Sequence, residues 1–208
     1  MNLHMNRNMN PHSPSQLPPS AWLQRWAHLL PAGGQVLDVA CGSGRHLRWL
    51  VAHGFHVTGI DRDAAALALS RDLIAQGRAE LIEADIENNA WPCPGRSFDA
   101  VLVCNYLWRP LWPVLLASLA PGAVLIYETF ADGNQTVGKP SRPDFLLQTG
   151  ELLSRCAGLR VLAYEDGFLD DPARFVQRVV AVREPAPAAE TTQNDPPLRY
   201  LLQAPPVA

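Results

Sequence analysis

One stretch limits what this chain can fold into more than any other: Val36-Leu37-Asp38-Val39-Ala40-Cys41-Gly42-Ser43-Gly44-Arg45-His46. Gln35 to Val39, just after the Gly33-Gly34 break, reads as a short buried strand. A tight Gly-x-Gly turn follows, and then a helix from Arg45 to His53. That helix turns Leu47, Leu50 and Val51 inward and has Gly54 just past its end. Gly42 and Gly44 can take positive φ and lack a Cβ, so a ligand can lie against the backbone there. It would meet the unpaired N–H groups of the helix's first turn.

The rest of the chain repeats this strand-and-helix alternation. Ser20 can cap a helix whose apolar stripe is Trp22, Leu23, Trp26, Leu29 and Leu30. His56 to Ile60 is a second strand, and Asp63 caps an Ala- and Leu-rich helix stopping at Gly77. Ala79 to Ala84 and Phe98 to Cys104 are strands, Pro110 opens a helix to about Leu119, and Ala123 to Phe130 is the fifth strand. Strands separated by helices imply parallel βαβ units with right-handed crossovers. The end breaks the rhythm: Val161 to Phe168 and Arg174 to Val182 are joined by five residues, too few for a crossover, so they form an antiparallel hairpin. The fold class expected is α/β: a Rossmann-like, doubly wound, mostly parallel seven-stranded sheet with a C-terminal antiparallel hairpin.

The acidic residues around the glycine turn select among ligands. Asp61 closes the second strand, where a carboxylate in a βαβ unit faces the ribose hydroxyls of an adenosine ligand. A dinucleotide fingerprint needs Gly or Ala where this chain has Leu47, a bulk expected to push the helix off the strand. Asp38 beside the turn also suits an ammonium better than a diphosphate, as in the methionine moiety of S-adenosylmethionine. Asp85, in Glu83-Ala84-Asp85-Ile86, has two readings: acceptor for an adenine amino group with Ile86 on the ring, or an ordinary strand-end turn. Asn105 and Tyr106 emerge at the carboxyl end of the fourth strand, the edge where open α/β sheets bind ligands.

Taken as a set, VLDVACGSGRH, GIDRD, EADIEN and FDAVLVCNYL resemble the ordered motifs of the class I S-adenosylmethionine-dependent methyltransferases over about Val36 to Val182. The reversed final hairpin is part of the likeness. The resemblance implies that Asp38 and the backbone of Ala40, Cys41, Gly42 and Gly44 hold the methionine part of the cofactor. It puts Asp61 on the ribose, Arg62 beside the adenine, Asp85 and Ile86 around the base, and Cys104 and Asn105 on the methyl-donor side. Tyr127-Glu128-Thr129-Phe130, Gly133-Asn134, Gly138-Lys139-Pro140 and Pro143 to Leu147 are similar to a bacterial subgroup near the tellurite-resistance methyltransferases. The implied reaction is in-line displacement of a sulfonium methyl, in which the protein aligns two atoms and excludes water. Tyr106, Trp108, Glu128 and Asn134 are the acceptor-pocket candidates, and no residue is assigned as catalytic. Glu128 is read either as a base or as a structural partner of Arg109 or Arg142. The loop from Ala131 to Gln148 is either a pocket wall or an inert excursion. His46 is read as either a helix-surface residue or part of the site.

Composition narrows the partners. A net charge of −3 argues against a large basic face for nucleic acid or acidic lipid. The acceptor expected is therefore a small molecule. Cys104-Asn105-Tyr106-Leu107 also lacks the Asn-Pro-Pro-Tyr run used on exocyclic base amines. Four scattered cysteines without a CxxC pair suit neither zinc nor a disulfide framework, no metal site is expected, and no apolar run is long enough to span a membrane. A cytoplasmic protein is expected, its domain at 20–183 flanked by a disordered tail at 1–19 and a proline-rich flexible tail at 184–208. Two rivals remain: a non-catalytic cofactor-binding partner protein, and a nicotinamide-dependent oxidoreductase, which Leu47, the hairpin and the lack of a Tyr-x-x-x-Lys pair all disfavour.

Overall fold

A computed structural model describes residues 17–186 and 198–204, so most of the two expected tails lies outside the described residues. Seven strands form one sheet: β1 (Gln35–Val39), β2 (His56–Asp61), β3 (Ala79–Glu83), β4 (Phe98–Cys104), β5 (Leu119–Phe130), β6 (Arg160–Asp170) and β7 (Ala173–Val182). Their order is β3-β2-β1-β4-β5-β7-β6. The first five strands run parallel, and β7 pairs antiparallel with both β5 and β6. The central strands are apolar on both faces because both faces are covered, as parallel sheets require.

Two cores sit on opposite faces of the sheet. On one face, α1 (Ala21–Trp26), α2 (Arg45–Ala52) and α3 (Ala64–Ala68) contribute Trp22, Trp26, Leu47, Leu50 and Leu67. On the other, α4 (Trp112–Ala117) and α5 (Glu151–Arg155) contribute Trp112, Leu115 and Leu152 against Val101, Val103, Leu125 and Tyr127. Ser20 caps α1 as expected, its hydroxyl accepting from the N–H groups of Trp22 and Leu23. No described helix is long and apolar enough to cross a membrane.

The helices depart from expectation more than the strands. The run after Asp63 is not one helix: α3 stops at Ala68 and a 3₁₀ stretch covers Arg71–Gln76. The break comes where Ser70 turns fully inward and its hydroxyl donates to the Ser43 carbonyl at 2.8 Å. The helix opened by Pro110 ends at Ala117, not Leu119, because Leu119 already pairs with Phe98 in the sheet. Residues 120–123 then bulge before Val124 resumes the pairing with Ala100. The α5 helix and the 3₁₀ turns Asn134–Thr136 and Pro143–Phe145 have no strong sequence period and were not expected. The final hairpin is tighter than the sequence suggests, with only Asp171 and Pro172 between its strands.

Candidate functional site

The glycine turn is built from its neighbours. Gly44 has φ +79°, and a Cβ there would stand 2.0 Å from the Ser70 hydroxyl. Gly42 has φ +55° and nothing within 4 Å of a virtual Cβ, so its face is open. Asp61 braces the turn, one carboxylate oxygen accepting from the Gly42 N–H at 2.7 Å and the other from the Asp63 N–H at 2.9 Å. Leu47 does not push α2 away. Gly59 on β2 lies beneath it, and a Cβ there would meet the Leu47 Cδ1 at 2.7 Å. The small residue needed for close helix–strand packing has moved from the helix to the strand.

Among the described residues, two that are not glycine take left-handed backbone: Ala40 at φ 56° and Asn105 at φ 57°. They follow the carboxyl ends of the adjacent strands β1 and β4, and such strain tends to gather at functional sites. Both line a cavity of about 370 Å³, within the size range of small-molecule sites. The cavity brings together seven of the expected residues: Ala40, Asp61, Arg62, Asp85, Ile86, Asn105 and Tyr106. Pro140 and Phe145 also line it, so the Ala131 to Gln148 loop is a wall and not an inert excursion. Ala84, Glu87, Leu107, Thr129 and Phe130 complete the lining and were not assigned to the site, although all five lie in the quoted motifs.

Asp38, Cys41, Gly42, Gly44 and Cys104 sit outside that lining, in the turn and at the strand tips behind it. Asp38 is 1% exposed, and its Oδ2 has no hydrogen-bond partner. His46 is buried, not on the helix surface, with Nδ1 3.6 Å from Asp38 Oδ2 and Nε2 without a partner. Buried polar atoms left in this state call for a ligand or water to complete them. Arg45, which the sequence reading passed over, reaches from the first residue of α2 to the Cys104 Sγ at 3.4 Å and the Pro18 carbonyl at 3.2 Å.

The remaining acceptor-pocket candidates divide. Trp108 is half-buried against the α4-side core and does not line the cavity. Asn134 is fixed in structure: its side-chain oxygen accepts from the Phe175 N–H at 3.2 Å and its nitrogen donates to the Pro140 carbonyl at 3.0 Å. Glu128 is buried, accepts from the Ser20 hydroxyl at 2.9 Å and pairs with Arg178 at 3.3 Å. Arg109 and Arg142 instead pair with Glu151 and Asp144, because β7 brings Arg178 directly opposite Glu128 in the ladder.

Electrostatics sets the character of each group. Burial, then Asp38 and Asp61, pushes the Cys41 thiol far up, so it is no nucleophile. Burial and then Glu128 push Cys104 up to about 12 against the opposing effect of Arg45. Burial, reinforced by Glu87 at 3.2 Å, holds the Tyr106 phenol protonated. The Asn88 side chain and the backbone N–H groups of Glu87 and Asn88 hold the Asp85 carboxyl below its ordinary value. Asp85 therefore caps a strand-end turn while also lining the cavity.

A methyltransferase-domain family profile matches residues 36–121. A malonyl-[acyl-carrier protein] O-methyltransferase of Pectobacterium atrosepticum is 38% identical over 117 residues, 53% of this chain and 45% of that protein. A tRNA U34 carboxymethyltransferase of Klebsiella pneumoniae is 29% identical over 178 residues, 77% of this chain and 52% of that protein. The chain spans about half the length of the curated relatives it matches. Among solved structures, an S-adenosylmethionine-dependent methyltransferase from Methanosarcina mazei superimposes with a TM-score of 0.63 at 16% identity, covering 82% of this chain and 100% of that one. Fold and profile agree: residues 36–121 match a methyltransferase domain, and the seven-stranded sheet has the fold of an S-adenosylmethionine-dependent methyltransferase. The fold is also similar to that of TehB from Haemophilus influenzae, with a TM-score of 0.58 at 18% identity over 73% of this chain and 58% of that one.

Proposed function

We propose that this protein transfers a methyl group from S-adenosylmethionine to a small-molecule acceptor in the cytoplasm. The observation that carries the reading is the cavity itself. Asp61, Asp85 and Ile86 line one part of it, Phe130, Pro140 and Phe145 another, and the strained tips Ala40 and Asn105 also border it. The chain's residues fit the cofactor: the unpartnered Asp38 oxygen suits an ammonium, and the open face of Gly42 admits a ligand against the backbone. Asp61 would take the ribose, Arg62 and Ile86 would flank the adenine, and Asp85 would keep a lone pair for its amino group. Arg45 would serve the methionine carboxylate, with the backbone of Ala40, Gly42 and Gly44 shaping the turn beneath it and Cys104 and Asn105 on the methyl-donor side. When bound, the cofactor supplies an electrophilic methyl on a sulfonium.

The protein's part is alignment and exclusion of water. Tyr106 presents a neutral phenol and ring, and Phe130, Pro140 and Phe145 keep the acceptor side dry. The loop lines this space without filling it, which favours an acceptor site over a non-catalytic cofactor-binding protein. The net charge of −3 supports a small molecule over a nucleic acid, although the matched relatives include tRNA and ribosomal RNA methyltransferases. Four free cysteines suit a reducing compartment.

Calorimetric titration with S-adenosylmethionine, S-adenosylhomocysteine and NADH, on wild type and Asp61→Ala, tests the reading. The first two ligands should bind and the variant should lose both. Binding of NADH alone would overturn it. An acceptor screen of small molecules against a tRNA pool then decides the substrate class.

A further inference from the structure

Resting on the methyltransferase reading, we propose that the acceptor is a small organic anion and that Arg174 binds its carboxylate or equivalent oxyanion. Arg174 is the second residue of β7, two positions before Val176 and on its face of the strand, and Val176 pairs with the cavity-lining Phe130. Its Nε is buried and has no hydrogen-bond partner. Its carboxylate neighbour is Glu128, 4.0 Å from Nη2, too long for a hydrogen bond.

Glu128 cannot serve Arg174 better, because it is already occupied. Its Oε1 takes the Ser20 hydroxyl at 2.9 Å and its Oε2 faces Arg178 at 3.3 Å. Arg178, in contrast, is fully engaged: its Nε and Nη2 bind Glu165 at 2.8 and 2.5 Å, and the guanidinium lies 4.7 Å from the Trp22 ring centroid. Arg45 lies apart: it donates to the Cys104 thiol and the Pro18 carbonyl, on the side the cofactor reading uses. Two guanidiniums, Arg174 and Arg178, thus face one carboxylate, while Glu165 is shared with Arg25. A planar fork with donors to spare, on a side chain 22% exposed, suits a carboxylate.

The position fits an acceptor and not the cofactor's adenosine. Asp61 ends β2 and Asp85 follows β3, and the sheet order places β1, β4 and β5 between them and Arg174 on β7. Phe130 shares the Glu128 face of β5 and lines the cavity, with Pro140 and Phe145 supplying further apolar wall. An anionic head with a flat apolar body matches this surround. An anionic nucleophile also cancels the donor's positive charge as the methyl moves.

The test uses the full chain loaded with S-adenosylhomocysteine, titrated with benzoate and with neutral benzamide. Wild type should bind benzoate more tightly. Arg174→Gln should weaken benzoate by about tenfold or more, leaving benzamide and S-adenosylhomocysteine unchanged. Arg174→Lys should retain part of the preference, and Arg160→Gln, an exposed residue paired with Glu184, should change nothing. Equal binding of the two probes to wild type, binding of neither, or an unaltered benzoate affinity in Arg174→Gln would overturn the proposal. Should the Gln variant fail to fold, the ionic-strength dependence of wild-type binding decides: only benzoate should weaken with salt. Failure of S-adenosylhomocysteine to bind wild type would instead strike the methyltransferase reading itself.

Discussion

At Gly44 a methyl group has nowhere to go. The Ser70 hydroxyl occupies its place, and the backbone is left-handed. Gly44→Ala should cost about 2–4 kcal/mol in denaturant unfolding. Adding Ser70→Gly should recover only the steric part, because the positive φ remains. Cys104 gives a different signature. Burial and then Glu128 raise its thiol from 9.0 to about 12 in the folded state. The unfolded chain ionises first, so this thiol's contribution is whole below about 9 and fades as pH climbs toward about 12. Unfolding free energy measured across that window should fall more steeply for wild type than for Cys104→Ser. Residues of this kind were only half legible beforehand. Gly42, Gly44 and Asp61 announce themselves by spacing, whereas Arg45, though inside the same motif, carries no signal of where its side chain goes, and only the fold decides that His46 is buried.

Between elements, the contact of α2 with β2 shows how a motif can be bent without being broken. Leu47 stands where a dinucleotide fingerprint wants glycine, and Gly59 across the interface makes room for it. Gly59→Ala should cost about 1–3 kcal/mol through overpacking, and Leu47→Ala about 2–5 kcal/mol through the cavity it leaves. The double variant should be less damaged than their sum, and chemical denaturation of all four proteins measures that coupling. Strands were readable because their apolar runs are long and cleanly bounded. β1 and β4 match expectation residue for residue. Helices were readable only where they stay regular. The run after Asp63 breaks at a contact between Ser70 and Ser43, a tertiary effect that no local pattern encodes. α5 is five residues long, too short to show an amphipathic period.

At the scale of the whole molecule, the reversed hairpin was legible from linker length alone, and with it the seven-stranded class. That Ala40, Asp61, Asp85 and Asn105 gather at one edge was legible too, because strand ends in such a sheet converge there. The acceptor half was not, since it depends on which residues β7 lays beside β5 and where the Ala131 to Gln148 loop folds back. Glu128 illustrates this: its partner Arg178 is distant in sequence and adjacent only through the ladder. That ladder also sets an order of assembly. The ribosome releases β5, then β6, then β7, yet β7 must lie between the other two. Until it emerges, β5 offers a bare edge and β6 has no neighbour to join. The nascent chain can therefore complete its glycine turn early, while the strand bearing Arg174 and Arg178 arrives last. The pocket's charge selectivity is the final property the newborn protein acquires.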